Sequence, residues 1–340
     1  MKPPTIIVIG ASAGGVEALG VLVEGLPPDL PAALLVVLHI GAHKSDLPRL
    51  LNRAGGLRAV HPADQDKVCA GQIYVAPPDH HMTLENGHVR LTKGPRENFA
   101  RPAIDPLFRS AAADYGNNVI GVILTGGLND GTAGLHEIKL HGGVAIVQDP
   151  DDAQSASMPR SALAHVAVDH REPLAAIAPL LVRLVGERAE PSHPSPTVKK
   201  QVPEMTAEFT QNRPVAVTCP DCGGGLREKN LGTITMFECH IGHRYTAEVM
   251  LAGQFLAMER FIESAMRSLN ERAELCRQMA EKIPVYENAD REKWLEAMQE
   301  AQDQTSPLRG LLDREWVHPF NAGFETVLSV QRQLVSDWAQ

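Results

Sequence analysis

The sequence predicts an α/β protein: a doubly wound, mostly parallel sheet, followed by a small zinc-ribbon-like module and an α-helical tail. Three observations carry this expectation. Short apolar runs at 6–9, 33–38, 72–76, 119–124 and 143–147 alternate with helical patterns. Several of them, such as Ala33-Leu34-Leu35-Val36-Val37-Leu38, are continuous rather than alternating, as in strands covered on both faces. Glycine-rich turns close the first and fourth runs and lead into helical patterns.

The first run ends in Gly10-Ala11-Ser12-Ala13-Gly14-Gly15, and Val16, Leu19, Leu22 and Val23 then set a helical stripe. That segment reads as strand, tight turn, helix. The second run ends in Leu38-His39-Ile40, and Asn86-Gly87 before Val89-Arg90-Leu91 marks a hairpin return. The fourth run ends in Leu124-Thr125-Gly126-Gly127-Leu128-Asn129-Asp130-Gly131-Thr132. Residues 187–214 change character, with Glu190-Pro191-Ser192-His193-Pro194-Ser195-Pro196 as a proline-rich linker. A cysteine module is expected over 215–246 and a helical tail over 247–340, with helices at 247–283, 291–304 and 307–338.

The 340 residues suffice for two or three domains, and the 44% hydrophobic content supplies a core. A formal net charge of −9 and 4% aromatic residues argue against nucleic-acid binding. No apolar run approaches the roughly 18–20 residues of a membrane span. The five cysteines form no even disulfide framework, so a reducing cytoplasm is expected.

Gly10-Ala11-Ser12-Ala13-Gly14 fits the G-x-S-x-G pattern that lifts a serine out of a sheet. A dinucleotide-binding loop would want an acidic residue near the end of the next strand, where His39 stands instead. Ser12, His39 and Asp130 thus fall at three strand ends on the carboxyl edge of one sheet. A serine nucleophile needs a base, and the base needs a carboxylate to hold its tautomer. The chain order, Ser-His-Asp, differs from the Ser-Asp-His of α/β-hydrolases. Taken singly, Ser12 could cap the following helix, His39 could be structural and Asp130 could only stabilise its turn.

Residues 5–186 resemble the catalytic domain of CheB-type protein-glutamate methylesterases of chemotaxis. The resemblance rests on IGASAGG at 9–15, the His39 strand end, YVAPPDHHMTL at 74–84 and RPAIDPLFRSAA at 101–112. It continues through LTGGLNDGTAGL at 124–135 and VQDPDDAQSASMPRSAL at 147–163, in family order. It implies a catalytic domain over 1–186 with Ser12 as nucleophile, His39 as base and Asp130 as its orienting carboxylate. The oxyanion donors would be the backbone N–H groups of Ala13 and Gly127. The implied reaction is hydrolysis of glutamyl methyl esters on chemoreceptor helices, or deamidation of receptor glutamines, without a cofactor. Gly127 stands where the family usually has methionine, and Leu38 where it often has glutamine. Only four residues precede the first strand, so the phosphorylatable receiver usual in the family is not expected. Those departures keep open a different ester or amide substrate, or a docking module of the same fold.

Cys219-Pro220-Asp221-Cys222 and Cys239-His240-Ile241-Gly242-His243 form two knuckles. They supply a Cys₃His set for structural zinc, with Cys219, Cys222, Cys239 and His243 as ligands. His240 is the competing fourth ligand, but Ile241-Gly242 lets His243 fold back beside Cys239. The triple glycine 223–225 argues against a redox C-x-x-C opening a helix. His80-His81 is expected to be structural or on the surface rather than a metal site, and Cys69 and Cys276 to be packing residues. In the tail, Phe255, Met258, Phe261, Ile262 and Met266 would form an apolar stripe. The tail could serve as a homodimer arm or a docking surface, though packing on the module or on itself is the simpler expectation.

Overall fold

A computed structural model describes residues 4–39, 45–189, 214–284, 288–314 and 316. It divides into two compact units, with Met1–Met250 in one and Leu251–Asn321 in the other. The linker residues 190–213 and the tail beyond 316 lie outside the described residues.

The first unit opens with β1 (Thr5–Ala11), α1 (Gly15–Glu24), β2 (Ala32–Leu38), α2 (Leu47–Ala54), β3 (Arg58–Val60) and β4 (Gln72–Val75). It continues with the hairpin β5 (His81–Glu85) and β6 (His88–Thr92), then α3 (Ile104–Tyr115), β7 (Val119–Ile123) and α4 (Thr132–Leu140). Next come β8 (Val144–Gln148), α5 (Ser157–His165), β9 (His170–Glu172) and α6 (Leu174–Ala189).

Seven strands form one sheet in the order β3-β4-β2-β1-β7-β8-β9, and every pairing is parallel. Alternation along β1 explains why its run is continuously apolar. Ile7 and Ile9 face a core shared with Leu19 of α1, Leu51 of α2 and Ile177 of α6. Ile6 and Val8 face the opposite core, with Phe108 of α3, Leu135 of α4 and Ala162 of α5. Both sides of the strand are dry, so an apolar residue is favoured at every position. The chain winds outward from β1 in both directions, which makes the carboxyl ends of β1 and its neighbours the topological switch point. The hairpin turn puts Asn86 at φ 52° and Gly87 at φ 77°, the left-handed pair that an Asn-Gly turn provides.

The cysteine segment forms a four-stranded antiparallel sheet from β10 (Pro214–Thr218), β11 (Gly225–Leu231), β12 (Ile234–Cys239) and β13 (Arg244–Thr246). It belongs to the first unit. Its small core of Cys219, Leu226, Cys239, Tyr245, Val249 and Met250 is completed by Phe99 and Leu128, which come from loops of the parallel-sheet half.

The tail contains α7 (Ala247–Lys282) and α8 (Asn288–Leu312). Two separate helices at 291–304 and 307–338 are not what forms: α8 runs on through Pro307 to Leu312. In the second unit Ala273, Cys276, Ala280, Ala301 and Thr305 are buried. Arg272 reaches Glu300 at 3.8 Å. The predicted stripe fails at Phe261, which is 74% exposed, whereas Phe255 meets Trp316 edge-on at 6.2 Å.

Candidate active site

Ser12 follows β1, His39 follows β2, and Asp130 follows β7 in a loop that leads into α4. The fold brings the three together. Ser12 Oγ lies 3.3 Å from His39 Nδ1, and His39 Nε2 lies 2.8 Å from Asp130 Oδ2. Asp130 is 2% exposed and the His39 side chain 12%, so the relay is dry at the carboxylate and open toward the serine. With Nε2–H donating to Asp130, the Nδ1 lone pair faces the Ser12 hydroxyl, the arrangement a general base needs. The hydroxyl is not used as a helix cap, because α1 is capped by Gly14 at φ 75° without a side-chain bond.

The serine turn is held by its neighbours. Ser12 N–H donates to Thr125 O at 3.0 Å, and Thr125 Oγ1 donates to Ala13 O at 2.9 Å. Gly126 N–H donates to Ser155 O at 2.9 Å. A Cβ at Gly126 would overlap Met158 Sδ and lie 2.9 Å from Ser12 Cβ, so only glycine fits there. A Cβ at Gly127, by contrast, would meet nothing within 4 Å. Among the described residues, the N–H groups of Ala13 and Gly127 donate to no protein acceptor.

Asp130 sits in a dense set of donors. Its Oδ2 accepts from Ile104 N at 2.6 Å as well as from His39. Its Oδ1 accepts from Asn98 Nδ2 at 3.0 Å, Gly131 N at 3.0 Å and Asp105 N at 3.3 Å. Ile104 and Asp105 open α3, so the helix N-terminus also favours negative charge here. Burial works against ionisation of Asp130. The His39 bond and charge, with the Ile104 and Asn98 donors, outweigh it and hold the carboxyl below its ordinary range.

Asp105 is a second, fully buried carboxyl in the same cluster. Burial, and then the charge of Asp130, push it well above the ordinary carboxylate range. It accepts from Gly134 N at 2.7 Å and Asn98 Nδ2 at 3.1 Å. Asp105 and Asn98 were not singled out by sequence reasoning. For Asp105 the signal was present: a carboxylate inside the apolar Ala103-Ile104-Asp105-Pro106-Leu107-Phe108 run. Asn98 carries no local signal.

In the ribbon, Cys219, Cys222, Cys239 and His243 gather their ligand atoms within 4.8 Å of one another. Cys222 Sγ lies 3.8 Å from Cys239 Sγ, and His243 Nδ1 lies 3.4 Å from Cys239 Sγ and 3.6 Å from Cys219 Sγ. A tetrahedral zinc with bonds of about 2.3 Å to sulfur and 2.0–2.1 Å to nitrogen sets its ligands about 3.8 Å (S–S) and 3.5 Å (S–N) apart. The donor set therefore fits zinc. Each knuckle is closed by a backbone turn, Gly223 N to Cys219 O at 2.8 Å and Gly242 N to Cys239 O at 2.9 Å. Gly242 at φ 101° makes the fold-back, and His240 lies outside the cluster, beside Gly224. Tyr245 supports the site, with its OH donating to Asp221 at 2.8 Å and lying 3.1 Å from Cys219 Sγ.

The remaining candidates are structural or exposed. His80 Nδ1 contacts Pro78 O at 2.8 Å, and buried His81 contacts Pro95 O at 2.9 Å and Ala103 N at 3.3 Å. Cys276 is buried as expected, but Cys69 is exposed and does not serve packing.

Residues 7–181 match the model of the CheB methylesterase family. The chain belongs to that family. It is 41% identical over 180 residues to a putative protein-glutamate methylesterase/protein-glutamine glutaminase of Leptospira interrogans, covering 52% of this chain and 93% of the relative. It is 39% identical over 170 residues to a protein-glutamate methylesterase/protein-glutamine glutaminase of Anaeromyxobacter dehalogenans, covering half of each chain. The crystal structure of the Thermotoga maritima CheB methylesterase catalytic domain matches with a TM-score of 0.51 and 33% identity, over 53% of this chain and 98% of that one. Each of these matches covers about half of the present chain, and the family model lies over the parallel-sheet half. Among the described residues, no helix is long and apolar enough to cross a membrane.

Proposed function

We propose that the chain is a serine esterase that hydrolyses glutamyl methyl esters on the cytoplasmic helices of chemoreceptors. The relay of Ser12, His39 and Asp130 at the switch point is the observation that carries this reading. Ser12 Oγ attacks the ester carbonyl while its proton passes to His39 Nδ1. The tetrahedral oxyanion is met by the N–H groups of Ala13 and Gly127. Collapse breaks the bond to the methoxy oxygen, and His39 returns the proton to it, releasing methanol. Water then attacks the acyl-serine with His39 again as base, freeing the glutamate and Ser12. A receptor glutamine would follow the same path with ammonia as the leaving group. Asp130 holds Nε2–H throughout and stabilises the transient imidazolium. None of these steps draws on a cofactor.

On this reading the catalytic domain extends through α6 to Ala189, the ribbon from Pro214 to Thr246 is the zinc-binding module, and α7 and α8 belong to a helical tail. A structural zinc held by Cys219, Cys222, Cys239 and His243 would supply cross-linking to a module with little core of its own. The fit of the ligand spacings supports this.

The test is Ser12→Ala, assayed by methanol release from methylated chemoreceptor. Release should fall by at least about 10³-fold with the fold intact. Undiminished release would sink the assignment.

A further inference from the structure

The family match ends at Leu181, yet one residue far beyond it is tied to both sides of the catalytic carboxylate. Thr246 ends β13 of the ribbon and is fully buried. Its backbone N–H donates to Asn98 Oδ1 at 3.2 Å, and its Oγ1 donates to Asn129 Oδ1 at 2.9 Å. Asn98 turns its Nδ2 onto Asp130 Oδ1 at 3.0 Å and Asp105 Oδ2 at 3.1 Å. Asn129 is the residue before Asp130 and donates onward to Glu248 at 2.8 Å. Asp130 therefore lies between two asparagines that both fasten to one threonine of the ribbon.

The loop carrying Asn98 is a tight turn closed by Ala100 N to Glu97 O at 2.9 Å, with Glu97 paired to Arg109 at 2.8 Å. Asn98 and Phe99 are consecutive non-glycine residues at positive φ, 51° and 61°. The ribbon adds a second set of contacts to that turn. Asn98 N donates to Arg244 O at 2.8 Å, Phe99 packs against Tyr245 with ring centroids 4.8 Å apart and planes tilted by 43°, and Glu97 reaches Arg244 at 3.8 Å. Leu128, at φ 63° in the other loop, also packs into the ribbon core. The Asn98 amide is engaged at both ends, its Nδ2 by the two carboxylates and its Oδ1 by Thr246 N–H.

We propose that the ribbon is a working part of the esterase site, with Thr246 positioning Asp130 through Asn98 and Asn129. Thr246 sits three residues after His243 and one after Tyr245, whose hydroxyl contacts Cys219. Anything that frees the metal knuckles thus loosens the strand that holds the carboxylate. Thr246, Asn98 and Asn129 are positioning residues, since their side chains bond to Asp130 and its neighbours rather than to Ser12 or His39. The inference rests on the nucleophile assignment above but not on which acyl group is the substrate.

The test uses the full zinc-loaded chain and two readouts: turnover of a methyl ester, and the rate at which a fluorophosphonate labels Ser12. The labelling rate is independent of the natural substrate, so a wrong substrate would silence turnover in every protein while labelling still ranked the variants. Labelling that survives Ser12→Ala would instead indict the nucleophile assignment. Asn98→Gly keeps the left-handed backbone and deletes the amide. It should lower kcat and labelling by about 10²-fold, the cost of a misplaced catalytic group, with KM nearly unchanged. Thr246→Val removes only the hydroxyl and should lower both by about 10-fold, whereas Thr246→Ser should restore them. Stripping zinc with a chelator should lower Ser12 labelling in step with the zinc lost. Wild-type rates in folded Asn98→Gly and Thr246→Val would overturn the proposal. So would equal losses in Thr246→Val and Thr246→Ser, a loss confined to KM, or full labelling of zinc-free protein.

Discussion

Replacing Asp130 by asparagine is the sharpest test of the relay, because the structure dictates which way the new amide must turn. All five groups around the carboxylate are donors. Oδ1 meets Asn98 Nδ2, Gly131 N and Asp105 N, and Oδ2 meets Ile104 N and His39 Nε2. An amide nitrogen at the Oδ1 position would confront three donors, two of them backbone groups. At the Oδ2 position it would confront Ile104 N–H and His39, and His39 can yield by moving its proton from Nε2 to Nδ1. The second orientation is the less costly, at about 1–3 kcal/mol for the orphaned Ile104 N–H. It is also the one that disables the enzyme, since the Nδ1 proton then points at Ser12 Oγ and no base faces the nucleophile. A fall in kcat of about 10⁴-fold, or about 5.4 kcal/mol in the barrier, is expected, with KM nearly constant. Initial rates of methanol release, with urea denaturation run in parallel, separate the two effects. A folded Asp130→Asn enzyme that keeps more than about a tenth of the wild-type kcat would refute the reasoning.

Three further outcomes can be checked. Burial and the Asp130 charge raise Asp105 in the folded state, whereas unfolded it ionises near pH 3.9, so from about pH 4 up to its raised folded value its contribution to stability falls by up to about 1.4 kcal/mol per pH unit. Asp130 has the opposite sign, contributing stability above about pH 4 that is lost as the pH drops through its lowered folded value. Urea midpoints across pH 4–8 should therefore decline less steeply in Asp105→Asn than in the wild type, and an identical slope would contradict the buried neutral carboxyl. Gly126→Ala should cost about 1–3 kcal/mol in stability and about 10²-fold in kcat, because its Cβ must displace Met158 or Ser12; unaltered kinetics would show that the turn yields freely. Elemental analysis should find about one zinc per chain, lost in Cys239→Ser and His243→Ala but kept in His240→Ala; the reverse histidine pattern would reassign the fourth ligand.

Much of this protein is local and therefore legible in its sequence. Continuous apolar runs specify strands dry on both faces, because any polar residue there would be buried without a partner. Asn86-Gly87 specifies its turn through positive φ, and the two cysteine knuckles specify theirs through short spacing. Ser12, His39 and Asp130 could be singled out because each lies in a turn or loop that follows a strand, and a parallel sheet gathers those loops at one edge. The break expected between 304 and 307 does not occur, since α8 continues through Pro307 to Leu312. The direction of the imidazole, with Nδ1 toward the serine and Nε2 toward Asp130, depended on contacts 27 and 91 residues apart in the chain. The pairing of Asp105 with Asp130 and the reach of Thr246 to Asn98 and Asn129 depended on contacts 25, 148 and 117 residues apart in the chain. Periodicity and spacing describe a residue's near neighbours, while hydrogen bonds between distant loops exist only once the parallel sheet and the ribbon have packed together.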